Sequence, residues 1–381
     1  MRHSLKIPFV IFCSVLLGCS TQPVKQQNLS HKKNNSLKYA KRFAIEEQEN
    51  FTWVYLFGDR SSWDTTSAFV IGRVTKVPIK RFPVYYVPTH CKRIVALSSI
   101  YASIFYELGE VKYLCGIDNI DYVINPAITR MFEHDSLIEL AKMPQLNIER
   151  TVKLHPDIIF NFGMGLGLKD VDVKLAETKI PTAISVDHLE ESPLARAEWI
   201  KFFAVFVNKK TMADSIFNAV ETNYNQLKQL ALKSIKQPSV FTETKYSDFW
   251  YMPGGNSFMA QLLKDAGSNY LWQDNKEFGS IPLSFEQVYA RAQNADFWIN
   301  LSVIKTKKEL LLQEKRYQEF AAFKYGQLYN NTKYTNAKGY STYWETGMIY
   351  PNRILNDLIQ IFHPELKEQL KNDLYYYTRI Y

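Results

Sequence analysis

The stretch from Arg93 to Ile117 reads RIVALSSIYASIFYELGEVKYLCGI, and its hydrophobic pattern changes twice along its length. Arg93 to Ser98 is a short apolar run of strand length, Tyr101 to Leu108 carries helical spacing up to Gly109, and Tyr113 to Ile117 is a strand-like run again. A strand, a helix and a strand in so few residues close as a parallel pair with the helix laid over one face. Further strands are predicted at Ile158 to Asn161 and Thr182 to Ser185. Residues 91–192 are therefore expected to fold as one α/β sandwich lobe.

After Pro193 the pattern becomes helical without strands. Trp199, Phe202, Phe203 and Phe206 form one packing group before a break at Asn208, Lys209 and Lys210. From Thr211 to Ile235 the apolar positions Ile216, Val220, Tyr224, Leu227 and Ala231 recur at spacings of three and four. That predicts one helix, ~37 Å long at 1.5 Å per residue, with a single buried stripe, ended by Pro238. Residues 193–237 are thus read as a helical linker. Alternation resumes with a strand at Ser239 to Glu243, helices at Ser257 to Ala266 and Phe285 to Ala292, and a strand at Phe297 to Leu301. Residues 238–381 form the second α/β lobe. The expected fold class is α/β, two sandwich lobes joined by a single long backbone helix. Bending such a helix costs hydrogen bonds along its length, so large clamshell closure is not expected. Upstream, residues 43–90 are rich in aromatics and punctuated by Pro78, Pro83 and Pro88, with extended runs such as Val84 to Val87, and are read as a β-arm.

At the N-terminus, Arg2 and Lys6 precede an apolar run from Ile7 to Leu17 that ends in Leu16, Leu17, Gly18 and Cys19. The run is shorter than the ~20 residues a spanning helix needs, and its small residue before cysteine is the cleavage pattern of a lipoprotein signal. Residues 1–18 are expected to be that signal, Cys19 the lipidated first residue of the mature chain, and the polar residues 19–42 a flexible tether. The body would then lie outside the cytoplasm, held on a bacterial membrane by its anchor. Losing Arg2 and Lys6 takes the formal charge from +8 to +6. The remaining lysines are scattered, with no Arg-rich helix or basic-aromatic patch, which argues against nucleic acid as a partner. Of the 4 cysteines, Cys13 leaves with the signal and Cys19 carries lipid. Cys91 and Cys115 sit at offset ends of neighbouring strands, too far apart for the ~5.5 Å a disulfide needs, and are expected to be free and largely buried.

The two lobes echo each other. Asn147, Ile148, Glu149 and Arg150 lead to Asp157 through Asn161, while Ser284, Phe285, Glu286 and Gln287 lead to Asp296 through Asn300. Each copy places an N-cap before a helix and a glutamate at its second position, and Ser284 with Gln287 is spaced as a capping box.

In this order, with Gly116–Ile117, His155–Pro156–Asp157 and Gly254–Gly255–Asn256–Ser257–Phe258, these elements resemble the class III, helical-backbone periplasmic binding proteins. Such proteins receive iron-siderophores, haem or cobalamin and deliver them to ABC importers. The resemblance covers most of the mature chain. It departs at Ser99–Ile100–Tyr101, where the family has a proline-containing turn, and in a longer arm and tail. It implies a monomer, a small-molecule metal chelate as ligand rather than a resident cofactor, and an ABC permease dimer with its ATPase as partner. It also implies that Glu149 and Glu286 dock the permease.

Ligands of open parallel sheets bind beyond the carboxyl ends of the strands. The loops there are expected to present Tyr101, Tyr122 and Phe162 from the first lobe and Trp250, Tyr251 and Trp344 from the second, with Lys245 as the one basic residue. Aromatic faces suit large flat chelates, although each such ring could equally fill the core. The segment Asn161 to Gly167 lacks the spacing of a dinucleotide loop and is read as a flexible lining of the cleft. A bare zinc or manganese site is the alternative, but His134, His155, His188 and His363 do not form a convergent set at strand ends. A secreted α/β hydrolase is a further alternative, and Ser98 and Ser99 lack the nucleophile elbow it would need.

Overall fold

A computed structural model describes residues 37–58, 65–72, 80–142, 145–165, 170, 172–370 and 373–381; Cys19 and the expected signal lie outside them. The first-lobe sheet has the order Thr182–Ser185, Ile158–Phe162, Ile94–Ala96, Leu114–Ile117, Ile138–Glu139, and every pairing is parallel. The second runs Asn269–Tyr270, Ser239–Thr242, Phe297–Ile299, Leu328–Asn330 in parallel, with Thr378–Arg379 added antiparallel at one edge. Both sheets start in the middle and grow to each side, so each has a point where strand order reverses. An antiparallel sheet of Lys245–Tyr246, Phe249–Pro253 and Ser280–Leu283 adds to the second lobe what the parallel pattern did not foretell.

The expected backbone helix is present as Lys210–Ala231, the last of three after Pro193–Ala197 and Ile200–Phe206. It ends one turn short of the expected Ile235, which is exposed. Phe217 rather than Ile216 fills the stripe. Its first half buries Ala213 and Phe217 in the first-lobe core, and its second half buries Val220, Tyr224, Leu227 and Ala231 in the core of the second. One helix thereby belongs to both cores.

The arm is a sheet of Phe43–Glu47, Phe51–Phe57, Thr65–Gly72 and Val84–Val87, antiparallel except for its last pair. Phe43 lies 4.9 Å from Trp199 and Phe69 lies 5.4 Å from Phe206, ring to ring, so the arm shares the first-lobe core. Cys91 is buried and Cys115 half-buried, both free; burial pushes the Cys91 thiol well up and the Cys115 thiol up to about 11.

The last residues of the expected tether are part of the body. Fully buried Glu198 accepts backbone N–H bonds from Lys38, Tyr39 and Ala40 at 2.8–3.1 Å, and Glu190 accepts those of Lys41 and Arg42 at 2.9–3.2 Å. Tyr39 and Lys38 also reach Glu221 on the backbone helix, at 2.8 and 2.6 Å. Two carboxylates thus satisfy five successive N–H groups that no strand or helix would satisfy. No helix among the described residues is long and apolar enough to cross a membrane.

Candidate functional site

The carboxyl ends of the two sheets face each other. The turn Ile120–Tyr122 follows one first-lobe strand, and residues 331–341 follow the strand Leu328–Asn330 of the second lobe. Across the gap Asn336 Nδ2 donates to the carbonyls of Asp121 and Val123 at 2.7 and 3.3 Å. Tyr122 and Tyr340 meet edge to face at 4.5 Å, and Glu345 Oε1 accepts the N–H groups of Ile124 and Asn125, both at 3.2 Å. The lobes are thus bridged along one side of the cleft.

Of the expected ligand-binding residues, three present exposed rings. Phe162 is 41% exposed and lies 4.6 Å from His188, Tyr251 is 43% exposed, and Trp344 is 49% exposed against Tyr343. Tyr122 is half-buried against Tyr340, and Lys245 is half-buried with its N–H donated to Tyr317 Oη at 3.0 Å. Two others are corrected. Tyr101 is fully buried on the inward face of helix Ser99–Glu107, packed 5.1 Å from Phe203 with its hydroxyl 3.3 Å from Asp187. Trp250 is fully buried because strand alternation turns it inward between Phe249 and Tyr251; its Nε1 donates to Thr242 O at 2.9 Å. Each ring packs inside the core of its own lobe and is not available to a ligand.

A cation that sequence reasoning missed lies at the junction of the lobes. Arg196 Nε donates to Asp187 Oδ2 at 2.8 Å, and its guanidinium lies 4.6 Å over the ring of Phe258 from the second lobe. Asp187 also accepts Ser185 Oγ at 2.9 Å. Burial works against its ionisation, but Arg196, His188 and Ser185 outweigh that and hold the carboxyl below its ordinary value. With Phe258, Leu262, Tyr343 and Trp344, Arg196 lines a small cavity of about 30 Å³. A guanidinium with one edge fixed by Asp187 keeps its outer N–H groups for an anion or carbonyl.

The loop after Phe162 packs beneath the arm where it is described: Asp170 accepts the N–H groups of Met164 and Gly165 at 2.9 and 3.0 Å, and residues 166–169 lie outside the described set. Ser98 caps its helix by accepting Ile100 N–H at 3.2 Å. The histidines sit on separate elements. His134 ends a helix, His155 is in a left-handed turn, His188 stacks on Phe162, and His363 bonds Ala266 O at 2.9 Å. Among the described residues no three His, Cys, Asp or Glu side chains converge.

Glu149 and Glu286 are both exposed in the first turns of equivalent helices, capped by Asn147 and by the reciprocal Ser284–Gln287 box. They differ in company. Arg316 clasps Glu314 with two bonds and reaches Glu286 at 3.0 Å, while stacking 3.9 Å over Phe285. The carboxyl of Glu286 is held below its ordinary value by its own backbone N–H and by Arg316.

The profile of a family described as periplasmic binding protein matches residues 94–335. Two uncharacterized lipoproteins of Methanocaldococcus jannaschii are each 27% identical, over 244 and 318 residues, covering 62% and 81% of this chain. The chain spans 55% of the length of the first and 76% of the second. Among solved structures, a periplasmic heme binding protein of Pseudomonas aeruginosa aligns with TM-score 0.57 at 18% identity, covering 76% of this chain and 98% of that one. A possible iron-binding protein of Staphylococcus epidermidis gives 0.54 at 18%, covering 72% and 99%. A periplasmic vitamin B12 binding protein of Vibrio cholerae gives 0.52 at 13%, covering 73% and 98%. These likenesses establish a shared two-lobed fold.

Proposed function

The chain belongs to the periplasmic binding protein family, and from that premise we propose that it is the lipid-anchored substrate-binding protein of an ABC importer. Its ligand is a bulky metal chelate of the iron-siderophore or cobalamin type, held between the lobes and handed to the permease dimer. The observation that supports this reading is the cavity lined by the fixed guanidinium of Arg196 and the exposed ring of Trp344, with Phe162 exposed at the end of its strand and Tyr251 exposed on the antiparallel sheet of the second lobe. Aromatic faces bury large area at low entropic cost, and Arg196 adds a donor for the chelate's anionic or carbonyl oxygens. Proteins of similar fold include ones named for binding heme, iron and vitamin B12, which supports a metal-containing ligand. Glu149 and Glu286 are assigned to docking, one on each lobe, where a symmetric permease dimer meets both at once. Cys19 carries the lipid, consistent with the two related lipoproteins.

Titration with cobalamin, haem and a set of ferric siderophores is expected to quench tryptophan fluorescence with at least one of them. Trp344→Ala should weaken that binding by about 1–3 kcal/mol and leave folding intact. Trp250→Ala should instead lower stability by about 3–5 kcal/mol, because it empties a core site. A flat response to every chelate, or equal binding by the Trp344→Ala protein, contradicts this reading.

A further inference from the structure

Among the described residues that line the cavity of about 30 Å³ at the junction of the lobes, Arg196 is the one charged side chain. It comes from helix Pro193–Ala197, which leaves the first lobe. Opposite it stand Phe258 and Leu262 of helix Phe258–Asp265, Tyr343 and Trp344 of helix Thr342–Thr346, and Ile354 of helix Pro351–Phe362, all from the second lobe. These walls are apolar or aromatic. Leu262 and Ile354 are buried, and the Tyr343 hydroxyl is turned toward Asn300 and Tyr377.

The charge of this guanidinium is already matched. Asp187, a buried carboxylate, takes its Nε–H at 2.8 Å, and burial holds the imidazole of His188 below its ordinary value, so His188 adds no charge at neutral pH. The outer nitrogens Nη1 and Nη2 have no hydrogen-bond partner among the described residues. A guanidinium donates and never accepts, so the cavity calls for an acceptor. A second carboxylate would leave the junction with a net negative charge between apolar walls, beside Asp187. A neutral carbonyl oxygen takes N–H bonds from the same fork and adds no charge. Size limits what enters: about 30 Å³ is room for roughly two water-sized atoms, the tip of one side arm and not a ring. The ring that carries the arm has the indole of Trp344, 49% exposed at the same cavity, to rest on.

We propose that Arg196 binds a neutral amide-type carbonyl on the rim of the chelate, and that the ligand is accordingly amide-rimmed, of the cobalamin or ferric hydroxamate kind, and not carboxylate-rimmed. This deepens the chelate-binding reading and rests on it. Asp187 acts through Arg196: it pins one edge of the fork so that the other edge faces the ligand, and it cancels the charge that would otherwise favour an anion.

The test measures by calorimetry the binding of two amide-rimmed chelates, cyanocobalamin and ferrichrome, and two carboxylate-rimmed ones, haemin and ferric citrate, to wild type and to Arg196→Lys. Lysine keeps a positive charge beside Asp187 but has a single nitrogen to divide between Asp187 and a ligand, and an unchanged melting temperature verifies its fold. Expected is that wild type binds cyanocobalamin or ferrichrome at least ~10-fold more tightly than either carboxylate-rimmed chelate, and that Arg196→Lys loses at least ~10-fold in affinity for that same ligand. Haemin or ferric citrate bound as tightly as the better amide-rimmed chelate, or more tightly, overturns the assignment. So does wild-type affinity in a folded Arg196→Lys protein. Should the lysine variant fail to fold, the wild-type ranking decides alone. Binding of none of the four by wild type overturns the chelate reading beneath it.

Discussion

Glu198→Ala should lower the unfolding free energy by about 3–5 kcal/mol, the largest stability loss expected from a single residue outside the aromatic core. The fully buried carboxylate is the acceptor for three backbone N–H groups, those of Lys38, Tyr39 and Ala40, and pairs with Lys201 at 3.2 Å. Each buried donor left without a partner costs about 1–3 kcal/mol. The chain end regains part of that by peeling into water, which keeps the total below the simple sum. A chain beginning at residue 43 loses these bonds together with those to Glu190 and Glu221, so it should be destabilised at least as much and be far less sensitive to Glu198→Ala, because the three N–H donors are already gone. Urea unfolding of the four proteins of that cycle measures this. A loss below about 1 kcal/mol, or full additivity with the truncation, would show that residues 38–42 contribute little to the fold.

If Glu149 and Glu286 dock the permease as proposed, reversing both charges, Glu149→Arg with Glu286→Arg, should abolish uptake in cells while ligand affinity stays within about twofold. The permease face that suits two carboxylates would then meet two guanidinium groups, and like charges in an interface oppose association strongly. A carboxylate in a first helical turn is also favoured by the helix dipole, by about 0.3–1 kcal/mol, and that modest stability loss is all that a purely local role predicts. The two positions should not contribute equally. In the proposed docking Glu149 would meet the permease directly, whereas Glu286 would first share or release Arg316. Single Glu149→Arg should therefore reduce uptake more than single Glu286→Arg. Normal uptake by a stably folded, normally expressed double variant would leave only the helix-terminus role.

Much of the architecture was legible because it rests on local periodicity. The strand, helix, strand unit at Arg93 to Ile117, the capping box at Ser284 and the stripe through Val220, Tyr224, Leu227 and Ala231 each follow from spacing alone. The site was legible only in outline. Falling just after a strand locates a residue at the sheet's carboxyl end, but the phase of the next element decides which way it points. Tyr101 lies on the inward face of its helix and Trp250 on the inward side of its strand, while Tyr251 next to it faces out. Arg196 was missed for a different reason: it is placed by a buried aspartate nine residues away whose role appears only when the loop folds back. The anchoring of residues 38–42 depends on partners 148–160 residues distant, beyond any local reading.

The most direct measurement is a native mass spectrum of the protein taken from the membranes of its own host. One adduct per chain is expected, with the mass and isotope pattern of an iron or cobalt chelate, released when the protein is unfolded. A protein carrying a metal-free molecule such as a sugar or peptide, or a bare metal ion without an organic chelator, would contradict the assignment of this cleft to a metal-chelate nutrient.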